Sequence, residues 1–478
     1  MRLHQQFLYP SIGLLFLVTS QACRQNTPQT AEPSLSHSLR EYVERHDSAS
    51  WQVMDSIRGD GQRTYVLKLI SQRWLTEAEV KDPVWWHWIT VVVPDSLQSN
   101  TGMLFIDGGS RDEPQPDQAG EGFVGMALTS HSVVADLRNV PNQPVTFIND
   151  TFGPRVEDEL IAYGWRQFLE GGARDADIRW LARMPMTTAA VRAMDALEDF
   201  TRRFTKPVQQ FVVAGASKRG WTTWTTGMTD KRVIAIVPIV IDLLNLQPSF
   251  QHHWQVYGRW APAVGNYVQE GIMEWQGSRE YARMLALTEP YSLRNERIIP
   301  KLLLNATGDQ FFLPDSWKFY LDSLSGEKLM RYVPNSEHSM RETDAWATLM
   351  TFYRMLVENK PRPSFRWSVD EGTIHLETDP NQLPSAITLW HARNPQTRNF
   401  QVDSIGRAYQ ATDLPLRPDG RYTVRVEPPQ SGYSAFFVEL TYPEYDGMDL
   451  KLTTGVVVTP DTYPYQPFVS TIPRGTRD

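Results

Sequence analysis

The strongest constraint on the fold of this chain is a short apolar run that leads directly into a glycine-framed serine. Residues 211–214 predict a buried strand, and residues 215–220 read Gly-Ala-Ser-Lys-Arg-Gly before a helical pattern begins. A serine in a sharp strand-to-helix turn needs small neighbours, because the strained backbone leaves little room for side chains. Small residues precede Ser217, whereas Arg219 stands where a second glycine is usual and Gly220 comes one residue later. The segment therefore matches a nucleophile elbow in part.

An aspartate and a histidine follow this serine, each after a predicted buried strand. The apolar runs 301–307 and 328–333 precede Asp309 and His338, respectively. A serine hydroxyl is a weak nucleophile until a neutral imidazole takes its proton, and a carboxylate orients that imidazole and stabilises its cation. Because the order serine, acid, histidine is that of α/β-hydrolases, we predict that Ser217, Asp309 and His338 form a catalytic triad. Alone, either loop residue would be read as an exposed residue at a turn. Asp242 and Asp315 are alternative candidates for the acid.

The segments that carry these residues resemble a known family. They are Gly-Ala-Ser-Lys-Arg-Gly-Trp at 215–221, Gly-Asp-Gln-Phe-Phe in 308–316, and Asn-Ser-Glu-His at 335–338. The chain is similar there to the PhoPQ-activated pathogenicity-related proteins, a family that includes secreted autocrine proliferation repressors of eukaryotes. The resemblance extends from about residue 42 to 463 and includes Glu-Asp-Glu-Leu-Ile-Ala-Tyr at 157–163. It implies an α/β-hydrolase-type fold on an exported protein and leaves the substrate open.

A pair of glycines after the predicted third strand (102–106) indicates an oxyanion hole. In α/β-hydrolases one donor amide comes from the loop after this strand, and the other belongs to the residue after the nucleophile. These amides would be that of Gly109 or Ser110 and that of Lys218. The alternative is an ordinary turn that uses two glycines.

Strands and helices alternate through residues 41–360, which predicts a doubly wound, mostly parallel sheet covered by helices on both faces. The segment 64–70 suits an edge strand, because its apolar residues alternate. Further predicted strands are 85–93, 102–106, 131–136 and 233–241, and predicted helices are 157–170, 187–204 and 343–358.

Residues 242–297 lack strand character and are rich in aromatic residues, so we predict a helical cap that walls the substrate pocket. Its adjacent His252 and His253 do not share one face of a helix, and no third ligand follows at a usable spacing. We therefore predict neither a metal site nor a cofactor. Lys218 and Arg219 could attract an anionic substrate, but ion pairs with acidic residues on a helix are the favoured interpretation.

From residue 361 the helical pattern disappears. Short alternating segments separated by turn residues predict a β-sandwich of immunoglobulin or fibronectin type over 361–478, including a C-terminal tail. Pro361-Arg362-Pro363 marks the boundary. Packing against the catalytic domain is the expected role of this unit, and ligand docking is the alternative.

The amino terminus is predicted to be a targeting segment. Arg2 precedes the apolar stretch 7–18, which is too short to span a bilayer, and Cys23 is the only cysteine of the chain. This pattern indicates a signal peptide (1–22), lipid attachment at Cys23 and a polar tether (23–40). The alternative is ordinary signal cleavage, an incidental cysteine and a secreted protein.

The chain of 478 residues has a formal net charge of −8 and no long basic run, which argues against a nucleic-acid partner. Together these features predict an envelope-anchored serine hydrolase that cleaves an ester or amide of a small molecule or peptide. The competing interpretation is an inactive hydrolase-fold protein kept for binding or signalling.

Overall fold

A computed structural model describes residues 35–45, 49–445 and 447–477. The predicted signal peptide, Cys23 and residues 24–34 of the predicted tether lie outside these ranges. Within them, no helix is both long and apolar enough to cross a membrane.

The strands up to residue 333 build one large sheet and a small hairpin. They are β1 (Ser50–Gly59), β2 (Gln62–Arg73), β3 (Val84–Pro94), β4 (Thr101–Ile106), β5 (Val134–Leu137), β6 (Val145–Thr146), β7 (Pro154–Arg155), β8 (Gln210–Ala216), β9 (Val233–Ile239), β10 (Lys301–Ala306) and β11 (Lys328–Val333). The short strands β6 and β7 pair with each other, and the other nine form the sheet.

The strand order of the large sheet is β1-β2-β3-β5-β4-β8-β9-β10-β11. Pairing is antiparallel from β1 to β5 and parallel from β5 to β11. With a serine after β8, an acid after β10 and a histidine after β11, this is the α/β-hydrolase fold. The carboxyl ends of the parallel strands therefore bring the three predicted catalytic residues to one edge of the sheet.

Two strand predictions were wrong in detail. The segment 64–70 is not at the edge of the sheet, because β1 pairs along the outer side of β2. The strand predicted from residue 131 begins at Val134, since His131 adopts a left-handed conformation and ends the preceding helix.

Helices cover both faces of the sheet and supply the predicted cap. They are α1 (Leu35–Glu44), α2 (Glu121–Ser130), α3 (Glu157–Glu170), α4 (Arg183–Thr201), α5 (Lys218–Thr229), α6 (Leu246–Tyr257), α7 (Gly265–Gln269), α8 (Arg279–Thr288) and α9 (Ala345–Val357). Helices α6, α7 and α8 lie in the predicted cap region, which contains no strand. Helix α1 includes residues 35–40 of the predicted tether, and Leu39 is buried in the core.

The C-terminal part consists of two antiparallel sheets. Its elements are β12 (Phe365–Asp370), β13 (Thr373–Thr378), β14 (Ala386–Asn394), α10 (Val402–Ile405), β15 (Gln410–Leu414), β16 (Arg421–Arg425), β17 (Tyr433–Tyr445), β18 (Met448–Thr453) and β19 (Val457–Thr459). One sheet has the order β12-β13-β16, and the other has β15-β14-β17-β18 with β19 also paired to β17. Apolar side chains of both sheets share one core cluster with β10 and β11, so this part packs on the hydrolase sheet.

The tail after β19 runs back over the cap. The Phe468 amide donates to the Gln251 side chain, and the Phe468 ring packs against Trp254 and Trp260 at centroid distances of 4.8 and 5.0 Å. Farther along, the Arg474 amide donates to the Glu274 carbonyl at 2.9 Å. The tail thus helps to hold the cap helices in place.

Candidate active site

Ser217 occupies a strained turn between β8 and α5. Its backbone angles are φ 58° and ψ −123°, a combination that an L-residue rarely adopts. The Ser217 amide donates to the Ile239 carbonyl of the neighbouring strand at 2.8 Å, which anchors the turn to β9. A Cβ at Gly215 would lie 2.9 Å from the Arg219 carbonyl oxygen, and one at Gly220 would lie 3.0 Å from the Gly215 carbonyl oxygen. Both glycines are therefore required because the backbone segments approach closely. Gly220 provides the absence of a side chain that a glycine at position 219 usually provides in this turn.

Asp309 and His338 meet at the carboxyl ends of β10 and β11. The distance between Asp309 Oδ2 and His338 Nδ1 is 2.7 Å. The other carboxylate oxygen accepts from the Phe311 amide at 2.7 Å and from the Phe312 amide at 3.3 Å. Because a carboxylate only accepts, Nδ1 carries the proton and Nε2 is left as the basic nitrogen.

The two alternative acids do not contact His338. Asp242 is buried and accepts from the hydroxyls of Tyr320 and Tyr332. Asp315 binds His252, Lys318 and Arg398 at 2.8, 2.9 and 2.7 Å. Burial raises the pKa of Asp242 to about 7. Burial also acts to raise the pKa of Asp315, but the cationic neighbours hold it well below its ordinary value. Of the three candidate carboxylates, Asp309 is the one that touches the histidine.

A small cavity of about 40 Å³ lies beside Ser217. Phe311 and Phe312 line it, and their rings also pack against the His338 imidazole at centroid distances of 4.4 and 5.8 Å. No hydrogen bond joins the Ser217 hydroxyl to His338 in the described part of the chain. Such bonds are often long without substrate and shorten in the reactive complex.

The loop after β4 lies beside the elbow. The Ser110 amide donates to the Glu113 carboxylate at 3.1 Å, and the Gly109 carbonyl accepts from Gln143 Nε2 at 2.9 Å. Gly109 has φ 124°, a conformation suited to glycine, and its amide has no hydrogen-bond partner within the described ranges. A Cβ at Gly108 would lie 2.8 Å from Arg219 Nη2, so this loop approaches the elbow closely.

Lys218 and Arg219 pair with acidic residues at the start of α3, which agrees with the favoured interpretation. Lys218 Nζ lies 2.8 Å from Glu157 and 3.2 Å from Asp158, and the Arg219 guanidinium binds both oxygens of Glu157. Burial acts to raise the pKa of Glu157, but the charges of Arg219 and Lys218 outweigh it and hold the pKa at about 2. The amide side chain of Gln143 also binds Glu157, through its Nε2 at 2.6 Å.

Sequence reasoning missed several residues around the serine. It gave no role to Gln143, which connects the Gly109 loop to Glu157, or to Arg183, which lines the Ser217 cavity. The motif at 157–163 contributes to the family resemblance, but its contact with the elbow does not follow from the sequence. No group of three or more His, Cys, Asp or Glu residues suited to a metal ion occurs in the described ranges.

Comparisons with known proteins assign the chain to a family. A sequence profile described as "PhoPQ-activated pathogenicity-related protein" matches residues 39–401. The chain is also 36% identical over 456 residues to "Autocrine proliferation repressor protein A" of Dictyostelium discoideum, an alignment that covers 89% of this chain and 91% of the relative. This chain belongs to the PhoPQ-activated pathogenicity-related family. The family resemblance noted around the three predicted catalytic residues is confirmed.

Solved structures with similar backbones include esterases. "Acetyl xylan esterase from Paenibacillus sp. R4" is 12% identical with a TM-score of 0.48, and the match covers 67% of this chain and 93% of that one. An S-formylglutathione hydrolase from Agrobacterium tumefaciens is 13% identical with a TM-score of 0.40, covering 65% and 98%. Because these similarities are weak, the fold assignment of this family member rests on its own strand order.

Proposed function

We propose that this member of the PhoPQ-activated pathogenicity-related family is an exported serine hydrolase that cleaves an ester or amide through an acyl-enzyme. Ser217 is the nucleophile, His338 the general base and acid, and Asp309 the carboxylate that orients the imidazole. The observation that carries the proposal is the 2.7 Å contact between Asp309 and His338 at the strand ends beside the strained serine turn.

The chemistry follows from the free nitrogen of the imidazole. His338 Nε2 takes the proton from the Ser217 hydroxyl while Oγ bonds to the substrate carbonyl carbon. The imidazolium then gives that proton to the departing alcohol or amine as the carbon–heteroatom bond breaks. Water, deprotonated by the same nitrogen, attacks the acyl-enzyme, and the serine regains its proton from His338 when the acid leaves.

Two backbone amides are suited to stabilise the oxyanion that forms in each half of the reaction. Lys218 is the first residue of α5, so its amide is not used by the helix itself. The Gly109 amide is unpaired among the described residues, whereas that of Ser110 donates to Glu113. We therefore favour Lys218 and Gly109 as the donors, each contributing on the order of 3 kcal/mol.

The proposed location is the cell envelope, with the mature chain held by lipid on Cys23. This rests on the apolar stretch 7–18, the lone cysteine and the polar residues that follow it. A single acyl chain anchors a protein only marginally, whereas two give stable attachment.

The test is turnover of a panel of aryl esters and aminoacyl arylamides by the purified protein, with and without a serine-reactive fluorophosphonate. We expect at least one substrate class to be hydrolysed, and we expect pretreatment with the probe to abolish that turnover. Absence of both labelling and turnover would instead support a hydrolase-fold protein that only binds its ligand.

A further inference from the structure

Arg183, the first residue of α4, is a buried arginine that forms no salt bridge within the described ranges. The described residues contain five arginines that are no more than 8% exposed. Four of them form salt bridges with carboxylates, namely Arg155, Arg219, Arg331 and Arg398. Arg183, which is 5% exposed, forms none in the part of the chain that the structure describes.

This guanidinium has few polar contacts, and the Asp158 charge acts on it without a direct salt bridge among the described residues. Nη1 donates to the Lys218 carbonyl at 3.0 Å, the group lies 4.5 Å from the Trp221 ring centroid, and Nε has no hydrogen-bond partner among the described residues. Loss of hydration lowers the pKa of the Arg183 guanidinium, although Tyr267 and Asp158 nearby oppose this. A buried charge of this kind is unfavourable until an opposite charge joins it.

The neighbouring carboxylates are already used. Asp158 Oδ1 accepts from the Tyr267 hydroxyl at 3.0 Å, and Asp158 Oδ2 lies 3.2 Å from Lys218 Nζ. Glu157 binds both Lys218 and Arg219. The cations are Lys218, Arg219 and Arg183, and the carboxylates are those of Glu157 and Asp158. One positive charge is therefore in excess, and among the described residues Arg183 is the member of this group that forms no salt bridge.

The unpaired cation and the predicted nucleophile line the same cavity. Its other walls are mainly apolar and come from the cap and from the loop after β10, including Leu246, Phe250 and Phe312. A ligand that enters this cavity therefore meets one guanidinium within an apolar surface, next to Ser217.

We propose that Arg183 determines specificity by binding a carboxylate of the substrate, so that the hydrolase acts on carboxylate-bearing esters or amides. This inference rests on the proposed function. A carboxylate carries one negative charge, matching the single surplus positive charge. A dianionic phosphate would exceed this surplus and leave one negative charge unbalanced in a cavity that Asp158 also lines. Buried hydrogen bonds between charged groups are strong enough to set substrate preference.

The carboxylate can belong to the acyl group or to the leaving group, and two pairs of probes distinguish these sources. Monomethyl glutarate is compared with dimethyl glutarate, and 3-acetoxybenzoate with methyl 3-acetoxybenzoate. We expect the carboxylate member of one pair to have a kcat/KM at least tenfold above that of its neutral partner. Equal or higher kcat/KM for the neutral ester in both pairs would overturn the inference.

Substitution of the arginine tests its part in this preference. The ratio of kcat/KM between the carboxylate ester and its neutral partner should fall at least tenfold in Arg183→Met and by less in Arg183→Lys. Arg183 contacts the elbow through the Lys218 carbonyl, so its substitution could lower activity on every substrate. Such a general loss affects both esters equally and cancels in the ratio. Arg259 lies exposed on the cap, so Arg259→Met removes an equal charge elsewhere and should leave the ratio unchanged. A ratio that survives Arg183→Met would contradict the assignment.

Binding to Ser217→Ala separates this inference from the proposed function. Calorimetry with monomethyl glutarate and 3-acetoxybenzoate should show binding of one of them, weakened at least tenfold when Arg183→Met is added. If the parent does not react with the fluorophosphonate but the carboxylate binds in this way, the hydrolase proposal fails and the carboxylate site stands. If the parent reacts and turns over esters but Ser217→Ala binds neither carboxylate, the carboxylate site fails alone.

Discussion

His338 Nδ1 lies 2.7 Å from Oδ2 of Asp309, a residue 29 positions earlier in the chain. The second oxygen of the same carboxylate accepts two backbone amides of its own loop, from Phe311 and Phe312. The carboxylate is therefore fixed by its loop and fixes the imidazole in turn. This arrangement holds the basic nitrogen of His338 free for a proton from a nearby nucleophile.

Asp309→Asn should lower turnover by a factor on the order of 10⁴, because an amide can donate to the imidazole and so favour the wrong tautomer. The measurement is kcat on the best ester of the panel. Asp315→Asn is the matched control, because Asp315 binds His252, Lys318 and Arg398 and does not contact His338. A loss below about tenfold for Asp309→Asn, with a larger loss for Asp315→Asn or Asp242→Asn, would move the acid to one of those positions.

Asp242 should make the protein less stable as the pH rises. Its pKa in the folded state is raised to about 7, mainly by burial, and lies above its unfolded value. The stability that the protonated group contributes is thus present at acidic pH and is lost as the pH rises through about 7. Urea unfolding from pH 5 to pH 8 should show a smaller decline in the free energy of unfolding for Asp242→Asn than for the parent. Equal declines would show that this carboxyl is not protonated in the folded state.

Glu157 should make the protein more stable as the pH rises from the acidic range. Its pKa of about 2 lies below the unfolded value, since the charges of Arg219 and Lys218 outweigh the effect of burial. Its contribution is present above the unfolded pKa and is lost as the pH falls toward about 2. Glu157→Gln should therefore lower the midpoint of thermal unfolding at pH 7 and flatten its fall between pH 5 and pH 3. Glu371→Gln, in the exposed turn between β12 and β13, is the control and should change neither. An unchanged midpoint for Glu157→Gln would contradict the ion-pair account.

The sequence was most informative where apolar periodicity and chain order act locally. Helix α3 and strand β11 have the predicted limits, because their apolar residues repeat at helix and strand spacing. The partnership of Asp309 with His338 could be predicted from their positions after consecutive strands of a parallel sheet. Strand β1 could not be predicted, since most of its residues are exposed and its pattern is weak.

Contacts between distant segments were beyond sequence reasoning. Asp315 is bound by Arg398, 83 residues away, so its unsuitability as the triad acid appears only in three dimensions. Likewise Arg183 is a single arginine before an ordinary helical pattern. That it forms no salt bridge with any described residue depends on where α4 packs against α5, which no local pattern reveals.

The location of the protein is tested at Cys23. If the mature chain begins there with two or more acyl chains, Cys23→Ser should leave the membrane fraction or remain as an unprocessed precursor. Intact-mass measurement of the exported parent should show a chain that starts at this cysteine and carries the added mass of lipid. An unmodified thiol, or cleavage after the cysteine, would contradict lipid anchoring and indicate a soluble periplasmic or secreted enzyme.

The central claim is that Ser217 is the nucleophile, and the most direct measurement is mass-spectrometric mapping of the residue that a fluorophosphonate modifies. We expect the adduct on Ser217 in the parent. In Ser217→Ala we expect loss of both labelling and ester turnover, with thermal unfolding nearly unchanged. An adduct on another residue, or undiminished labelling and turnover of Ser217→Ala, would contradict the account.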